Sequence, residues 1–251
     1  MEFKIENKWK LESLRLTSFL RNTFSGNHLE SWLTEITQGT VISIIRNANY
    51  FRGLVLTESG MVKLEWNSDR IDIVLNSPTP SRETNIGDFS LLAELMKKIP
   101  FKFLEIKEWP ESRRLAIGVI LNASVDSVES GVSVLASNLK YVSGLPGSSD
   151  FMYRINKPIQ STFKSDINLN RLMTWSIGEF QLIDVKVNPQ RQNLGQQVHS
   201  EPPELICRLE LDFNTVESPD ATLLSPEQLG IANELLNEAV SVSQKGEHGL
   251  R

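Results

Sequence analysis

One strand-like segment occurs twice in this sequence of 251 residues. Residues 70–77 read RIDIVLNS and residues 208–215 read RLELDFNT; the two share Arg and Asn and match by chemical type at five further positions. In both segments apolar residues largely alternate with polar or charged ones, which is typical of a β-strand with one buried and one solvated face. The repeat predicts that one chain builds the same kind of sheet twice.

The predicted elements follow the same order in both parts of the chain. Each part begins with a strand, at 10–20 and at 114–123, continues with an amphipathic helix and further strands, and ends with a helix. RIDIVLNS and RLELDFNT are each the last strand before the closing helix. We therefore expect an α+β fold of two similar strand-helix-strands-helix halves, an internal duplication, with antiparallel sheets and helices packed on one face.

The two predicted repeats occupy residues 1–100 and 101–251, packed together as one compact unit. The first strands of the two repeats are closer in sequence than the last strands are, so the second repeat must carry longer loops. The candidate insertions are the polar segment 188–203 and the segment 143–149. The rival interpretation is chance similarity, because alternating strands are common.

Composition and charge exclude several classes of protein. The net charge of −5 argues against nucleic acid as a partner, because binding phosphates normally needs a surplus of Lys and Arg. A single cysteine, Cys207, permits no internal disulfide and fits a reducing compartment. The sequence contains no apolar run of secretory or membrane-spanning length. We expect a cytoplasmic protein with no membrane association.

The residues that usually carry metal or nucleophilic chemistry are few and scattered. His28, His199 and His248 have no spacing typical of a metal site, and Cys207 lies in an apolar strand, where a packed thiol is expected. The glycine-rich turn GLPGSSD has no lysine in the position that a phosphate-binding loop requires. We therefore predict no metal and no cofactor, and the sequence favours a protein that is not an enzyme, without deciding the matter.

One pair of carboxylates has a spacing that catalysis could use. Glu210 and Asp212 are two positions apart on one predicted strand and so share a face, where they could hold Mg²⁺ or act as acid and base. The alternative is that Arg208, Glu210 and Asp212 form a solvated, charge-compensated face, because Leu209 and Leu211 must take the buried face. The pattern favours the solvated face.

The segment 148–176 is the candidate binding site. It is dense in residue types that interfaces favour, and the ones expected to contact a partner or ligand are Tyr153, Arg154, Asn170, Arg171 and Trp175. The alternative is that the aromatic residues pack inward and the arginines pair with local acids.

The runs SSDFMYRINKP and LNRLMTWS in this segment, together with WNSDRIDIVLNSP, resemble an uncharacterised bacterial protein family of similar length. That family has no assigned activity, so the resemblance implies a bacterial origin and no catalytic residue.

Three functional hypotheses remain open at the level of sequence. The first is a non-catalytic binding protein, an adaptor or chaperone-like accessory subunit of a bacterial protein complex, with a protein partner or a second copy of itself. The alternative is a sensor that binds a small molecule in a cleft between the two repeats. The third is an enzyme with dispersed acidic and arginine residues. An enclosed apolar pocket would favour the second hypothesis, and a flat exposed apolar patch would favour the first.

Overall fold

One long antiparallel sheet runs through both parts of the chain. The computed structural model describes residues 9–78, 85–140, 142, 147, 151–180, 183–186, 197–200, 203–217 and 222–250. The first part contains these elements: β1 (Lys10–Leu20), α1 (Leu29–Thr37), β2 (Thr40–Asn47), β3 (Tyr50–Thr57), β4 (Gly60–Asn67), β5 (Arg70–Asn76), β6 (Gly87–Asp88), α2 (Leu92–Lys98) and α3 (Pro100–Leu104). A single 3-10 turn at Phe89–Leu91 leads into α2.

The second part repeats much of this order. It contains β7 (Ser112–Ser124), α4 (Val128–Ala136), β8 (Met152–Asn156), β9 (Ile159–Gln160), β10 (Asn168–Phe180), β11 (Ile183–Lys186), β12 (Gln197–Ser200), β13 (Glu204–Thr215) and α5 (Ser225–Lys245). A 3-10 turn at Gly246–Gly249 follows α5. The expected α+β class with antiparallel pairing is confirmed.

The order of strands across the sheet places the two parts side by side. Neighbouring strands are β2-β3-β4-β5-β1-β7-β13-β10-β8, with β6 beside β1 and β9 beside β10, and β11 and β12 form a separate hairpin. The central pair is β1 and β7, in which Arg15 lies opposite Gly118. RIDIVLNS forms β5 and RLELDFNT forms β13, so the two similar segments flank the central pair on opposite sides.

Helices cover one face of the sheet and bury its apolar residues. Alternate residues of the central strands are buried on this face: Leu14, Leu16, Ile117, Val119, Leu121, Leu209 and Leu211. Helix α5 packs against β7, α4 against β13 and β10, and α1 against β3. Each fully buried Leu, Ile or Val side chain contributes roughly 1.5–3 kcal/mol relative to exposure. The intervening residues face the other side, which is called the open face below and is rich in polar and charged side chains.

Glycine and proline have different local effects in this chain. Strand β10 continues through Gly178 to Phe180. Helix α2 ends before Pro100, and Pro100 begins the short helix α3, where its missing N–H and fixed φ suit the first turn. The expected insertions at 143–149 and 188–203 lie largely outside the described residues. No helix in the described part of the chain is long and apolar enough to span a membrane.

Candidate binding trough on the open face

A concave pocket of about 410 Å³ lies on the open face, across the junction of the two parts of the chain. Five neighbouring strands line it, from β1 at one side to β8 at the other. We call it the trough and define it by these residues: Ser13, Arg15, Gly118, Ile120, Met152, Arg154, Leu172, Thr174, Glu210 and Asp212.

The strand registers explain why these residues share one face. In one row Ser13, Ile120, Glu210, Thr174 and Arg154 lie opposite one another in turn across the five strands. Residues directly opposite in antiparallel strands point to the same face, and so do residues two apart along a strand. The row that begins with Arg15 therefore adds its own side chains to the same side of the sheet.

The two carboxylates in the trough are already compensated by neighbours. Glu210 accepts a hydrogen bond from Nε of Arg208 at 2.6 Å, and Asp212 accepts one from the amide of Asn214 at 3.1 Å. Arg15 lies 3.8 Å from Asp212 as a looser ion pair. Burial alone would lower the pKa of Arg208, but hydrogen bonds to Glu210 and Glu12 outweigh this effect and raise it. The charge-compensated face expected from the sequence is present.

Arg154 offers the trough a positive charge without a protein partner. It is exposed, and among the described residues no hydrogen bond or ion pair involves its side chain. Beside it on β8, Met152 is 75% exposed, and Ile120 and Leu172 supply half-buried apolar surface on neighbouring strands. The trough thus combines one unpaired guanidinium with apolar side chains.

The five residues predicted from the sequence lie on two different faces. Arg154 and Asn170 lie on the open face, whereas Tyr153, Arg171 and Trp175 lie on the face that the helices cover. Asn170 forms hydrogen bonds with Asn156 and Asn214, and it is not among the residues that line the trough. A single ligand on the open face can therefore contact Arg154 directly but not the three core-facing residues.

Of the three core-facing residues, Arg171 and Tyr153 have polar partners, and Trp175 packs in the hydrophobic core. Arg171 is 1% exposed, and its guanidinium bonds Glu238 of α5 at 2.7 Å and the backbone carbonyl of Lys157 at 2.8 Å. Tyr153 donates a hydrogen bond to Glu247 at 3.0 Å, and its ring lies 5.8 Å from that of the fully buried Trp175. This arrangement matches the alternative stated above, with aromatic residues packed inward and an arginine paired with an acid.

Sequence reasoning missed Arg15, Gly118 and Met152. Arg15 and Gly118 come together only through the pairing of β1 with β7, which are far apart in sequence. Met152 is the exposed member of an alternating strand, a signal that was visible in the pattern of DFMYRINKP. An exposed methionine of this kind is an adaptable apolar contact.

Metal and thiol chemistry find little support in the described residues. Within them, no group of three or more His, Cys, Asp or Glu side chains is placed to hold a metal ion. Cys207 is fully buried, and its Sγ lies 3.5 Å from the carbonyl oxygen of Gly131, as expected for a packed thiol.

Comparison of the sequence with protein-family models and with curated proteins gives no match.

Proposed function

We propose that this protein is a non-catalytic binding protein whose trough recognises a small molecule with a carboxylate and an apolar part. The observation that carries this proposal is the exposed guanidinium of Arg154 beside Met152, with no described protein partner. A guanidinium can donate two parallel hydrogen bonds to a carboxylate, which makes it a selective receptor for that group. The volume of the trough is at the lower end of the range for small-molecule sites.

The state of the two acids favours binding over catalysis. The side chains of Glu210 and Asp212 are 49% and 44% exposed, and both already accept hydrogen bonds from neighbours. A general acid or base is normally tuned by burial or by a nearby like charge. Here the acids instead neutralise Arg208 and Arg15, so that Arg154 is the charge left to meet a ligand.

We also propose that the chain arose by internal duplication, with the repeats at 1–100 and 101–251. The registers support a local twofold axis between Arg15 and Gly118. In the next strand on each side, the axis relates Val74 of β5 to Asp212 of β13. In the strand after that, it relates Lys63 of β4 to Leu172 of β10. The same registers match identical residues in four places: Arg52 with Arg154, Trp66 with Trp175, Arg70 with Arg208, and Asn76 with Asn214.

The residues of the first repeat that match part of the trough lining form a polar network of their own. In the first repeat Glu65 accepts hydrogen bonds from Tyr50 at 3.1 Å and Lys63 at 2.9 Å. The hydrogen bond from Lys63, followed by that from Tyr50, holds the pKa of Glu65 below its usual value, although burial opposes the shift. The matching residues of the second repeat are Met152, Leu172 and Thr174, which cannot form this network. A ligand site could therefore have been acquired in the second repeat.

The duplication is tested by an experimental structure of the protein. Superposing β1, β3, β4 and β5 on β7, β8, β10 and β13 should require a rotation near 180°, as a twofold axis implies. The superposition should also bring Trp66 onto Trp175. A best fit that places Trp66 on a residue other than Trp175 would contradict the proposal.

The proposed setting is the cytoplasm of a bacterium. The lone buried Cys207 is compatible with a reducing compartment, and the family resemblance stated above supports the bacterial origin. The role of an accessory subunit in a protein complex is a separate proposal, for which a protein-binding surface is needed as well as the trough.

The ligand proposal is tested by calorimetric titration with hexanoate, with hexanamide as the uncharged probe of the same shape. Hexanoate should bind the protein measurably, and hexanamide much more weakly. Arg154→Ala should weaken hexanoate binding about tenfold or more, because hydrogen bonds to charged groups contribute about 1.5–3 kcal/mol each. Arg52→Ala changes the matching arginine of the first repeat and should leave binding unchanged. Equal binding of the two probes would contradict the proposal, and so would equal loss in the two variants.

A further inference from the structure

The outermost strand β2 exposes an apolar surface at one edge of the sheet. Val41 is 42%, Ile42 is 56% and Ile45 is 53% exposed, and Leu56 of the adjacent β3 is 39% exposed. In the part of the chain that the structure describes, β3 is the only strand that pairs with β2. The other edge of this eight-residue strand therefore carries backbone N–H and C=O groups that can pair with a further strand.

The opposite edge of the sheet is better protected than β2. Strand β8 has five residues, its exposed side chains include Arg154 and Asn156, and Pro158 follows it closely. Short length, polar side chains and proline are the usual means by which proteins prevent edge-to-edge pairing. Strand β2 has no proline or lysine, and its one charged residue, Arg46, is held by Asn27 at 2.8 Å. A bulge at Ile42 is its single irregularity.

We infer that β2 pairs antiparallel with β2 of a second copy of this chain, so that the sheet continues from one copy into the other. An antiparallel partner fits the distribution of charge along this edge. Arg46 and Arg52 lie towards one end of β2, and the exposed Glu58 lies beyond the other end, next to Leu56. Pairing about a twofold axis near the middle of β2 sets the basic end of each copy beside the acidic end of the other.

The same twofold arrangement also satisfies the apolar side chains. It keeps the two Arg46 side chains apart, whereas a parallel pairing would place them side by side, and it brings Ile42 and Ile45 of both copies to the centre. Because each copy contributes the same edge, the contact is self-complementary and the assembly closes at two copies. This surface is separate from the trough, and the inference does not depend on the proposed ligand.

The inference is tested by the sedimentation of the full-length protein over a wide range of concentrations. Wild type should sediment with twice the mass of the chain at the higher concentrations. Ile42→Lys and Ile45→Lys should sediment as monomers at all concentrations, with unchanged circular dichroism. Met152→Lys places the same charge on the other edge strand, at a more exposed residue, and should sediment like wild type.

A cross-linking experiment locates the contact. Ser43→Cys, near the middle of β2, should form a covalent dimer with a short bis-maleimide, whereas Met152→Cys should not, and the buried Cys207 should not react in the native protein. A wild type that is monomeric throughout would overturn the inference. A dimer that persists in both lysine variants would overturn it as well. Binding of a different protein to β2, by a chain that itself stays monomeric, would also overturn it.

Discussion

The guanidinium of Arg15 lies across Gly118, the residue opposite it on the neighbouring central strand. A Cβ atom placed on Gly118 would lie 3.2 Å from Nε of Arg15 and 3.3 Å from its Nη2. The glycine therefore leaves room for a flat arginine side chain at one side of the trough. The pair also marks the proposed local twofold axis between the repeats.

Gly118→Ala should displace the Arg15 side chain and alter the trough without unfolding the protein. We expect hexanoate binding to weaken by less than in Arg154→Ala, because Arg15 already pairs with Asp212. The free energy of unfolding should change by about 1 kcal/mol or less, since alanine is better suited to a strand than glycine and the new contact is with a flexible side chain. Calorimetric titration and urea unfolding measure the two effects.

Gly178→Ala is the matched control for that variant. Gly178 also lies in a long strand of the sheet, and nothing lies within 4 Å of a Cβ placed there. Its substitution should leave hexanoate binding unchanged. If the two alanine variants bind hexanoate equally well, the position of Arg15 does not matter for the trough.

Arg171→Ala should strongly destabilise the fold. The sequence offered Arg171 as a candidate binding residue, with pairing to a local acid as the alternative, and its ion pair with Glu238 is buried on both sides. Removing one partner of a buried pair leaves an uncompensated charge and costs about 3–5 kcal/mol. Urea unfolding monitored by circular dichroism measures the loss. The double variant Arg171→Met with Glu238→Met should recover much of the stability, and a single variant as stable as wild type would contradict this assignment.

Glu234 should contribute stability that disappears in acid. Burial alone would raise the pKa of this carboxyl, but hydrogen bonds from Ser161, Thr162 and Phe163 outweigh burial and lower the pKa below 4.5. A pKa that is lower in the folded than in the unfolded state gives stability that is present above about 4.5 and is lost as the pH falls through the folded pKa.

Glu234→Gln isolates that contribution. At neutral pH the variant should unfold about 1–2 kcal/mol more easily than wild type, because an amide accepts these hydrogen bonds less strongly than a carboxylate. As the pH falls below about 4.5 and through the lowered pKa of Glu234 the difference should shrink, because the wild-type carboxylate then takes up a proton. Urea unfolding over a series of pH values from neutral into acid gives the comparison. A difference that does not depend on pH would contradict the role assigned to the carboxylate.

Local patterns predicted the elements well because burial alternates along each strand and recurs every three or four residues along each helix. RIDIVLNS and RLELDFNT both form strands, and RLELDFNT is the last strand before α5, but the two-residue strand β6 lies between RIDIVLNS and the helix that follows it. The residues at which helices begin and end were less predictable. Ser225 is the first residue of α5 and does not cap it; Leu224 precedes the helix, and Glu227 accepts the hydrogen bond from the N–H of Leu224 at 3.0 Å. Ser225 instead donates to the carbonyl of Leu104, a tertiary contact that local sequence does not reveal.

The candidate site was harder to predict because it depends on which residues face each other across the sheet. The density of Tyr153, Arg154, Arg171 and Trp175 drew attention to the correct strands, but the alternation of side chains sends only Arg154 of these four to the open face. The registers also match Phe51 and Arg52 of the first part of the chain with Tyr153 and Arg154 of the second. These equivalences become visible only when strand pairing is known.

The central claim is that the charge of Arg154 selects the ligand, and reversing that charge tests it most directly. Calorimetric titration of wild type and Arg154→Glu with hexanoate and with hexylammonium gives four affinities. We predict that wild type binds hexanoate in preference to hexylammonium and that the variant loses hexanoate binding and gains affinity for hexylammonium, with the melting temperature unchanged. If Arg154→Glu binds hexanoate as tightly as wild type does, the trough is not a carboxylate site.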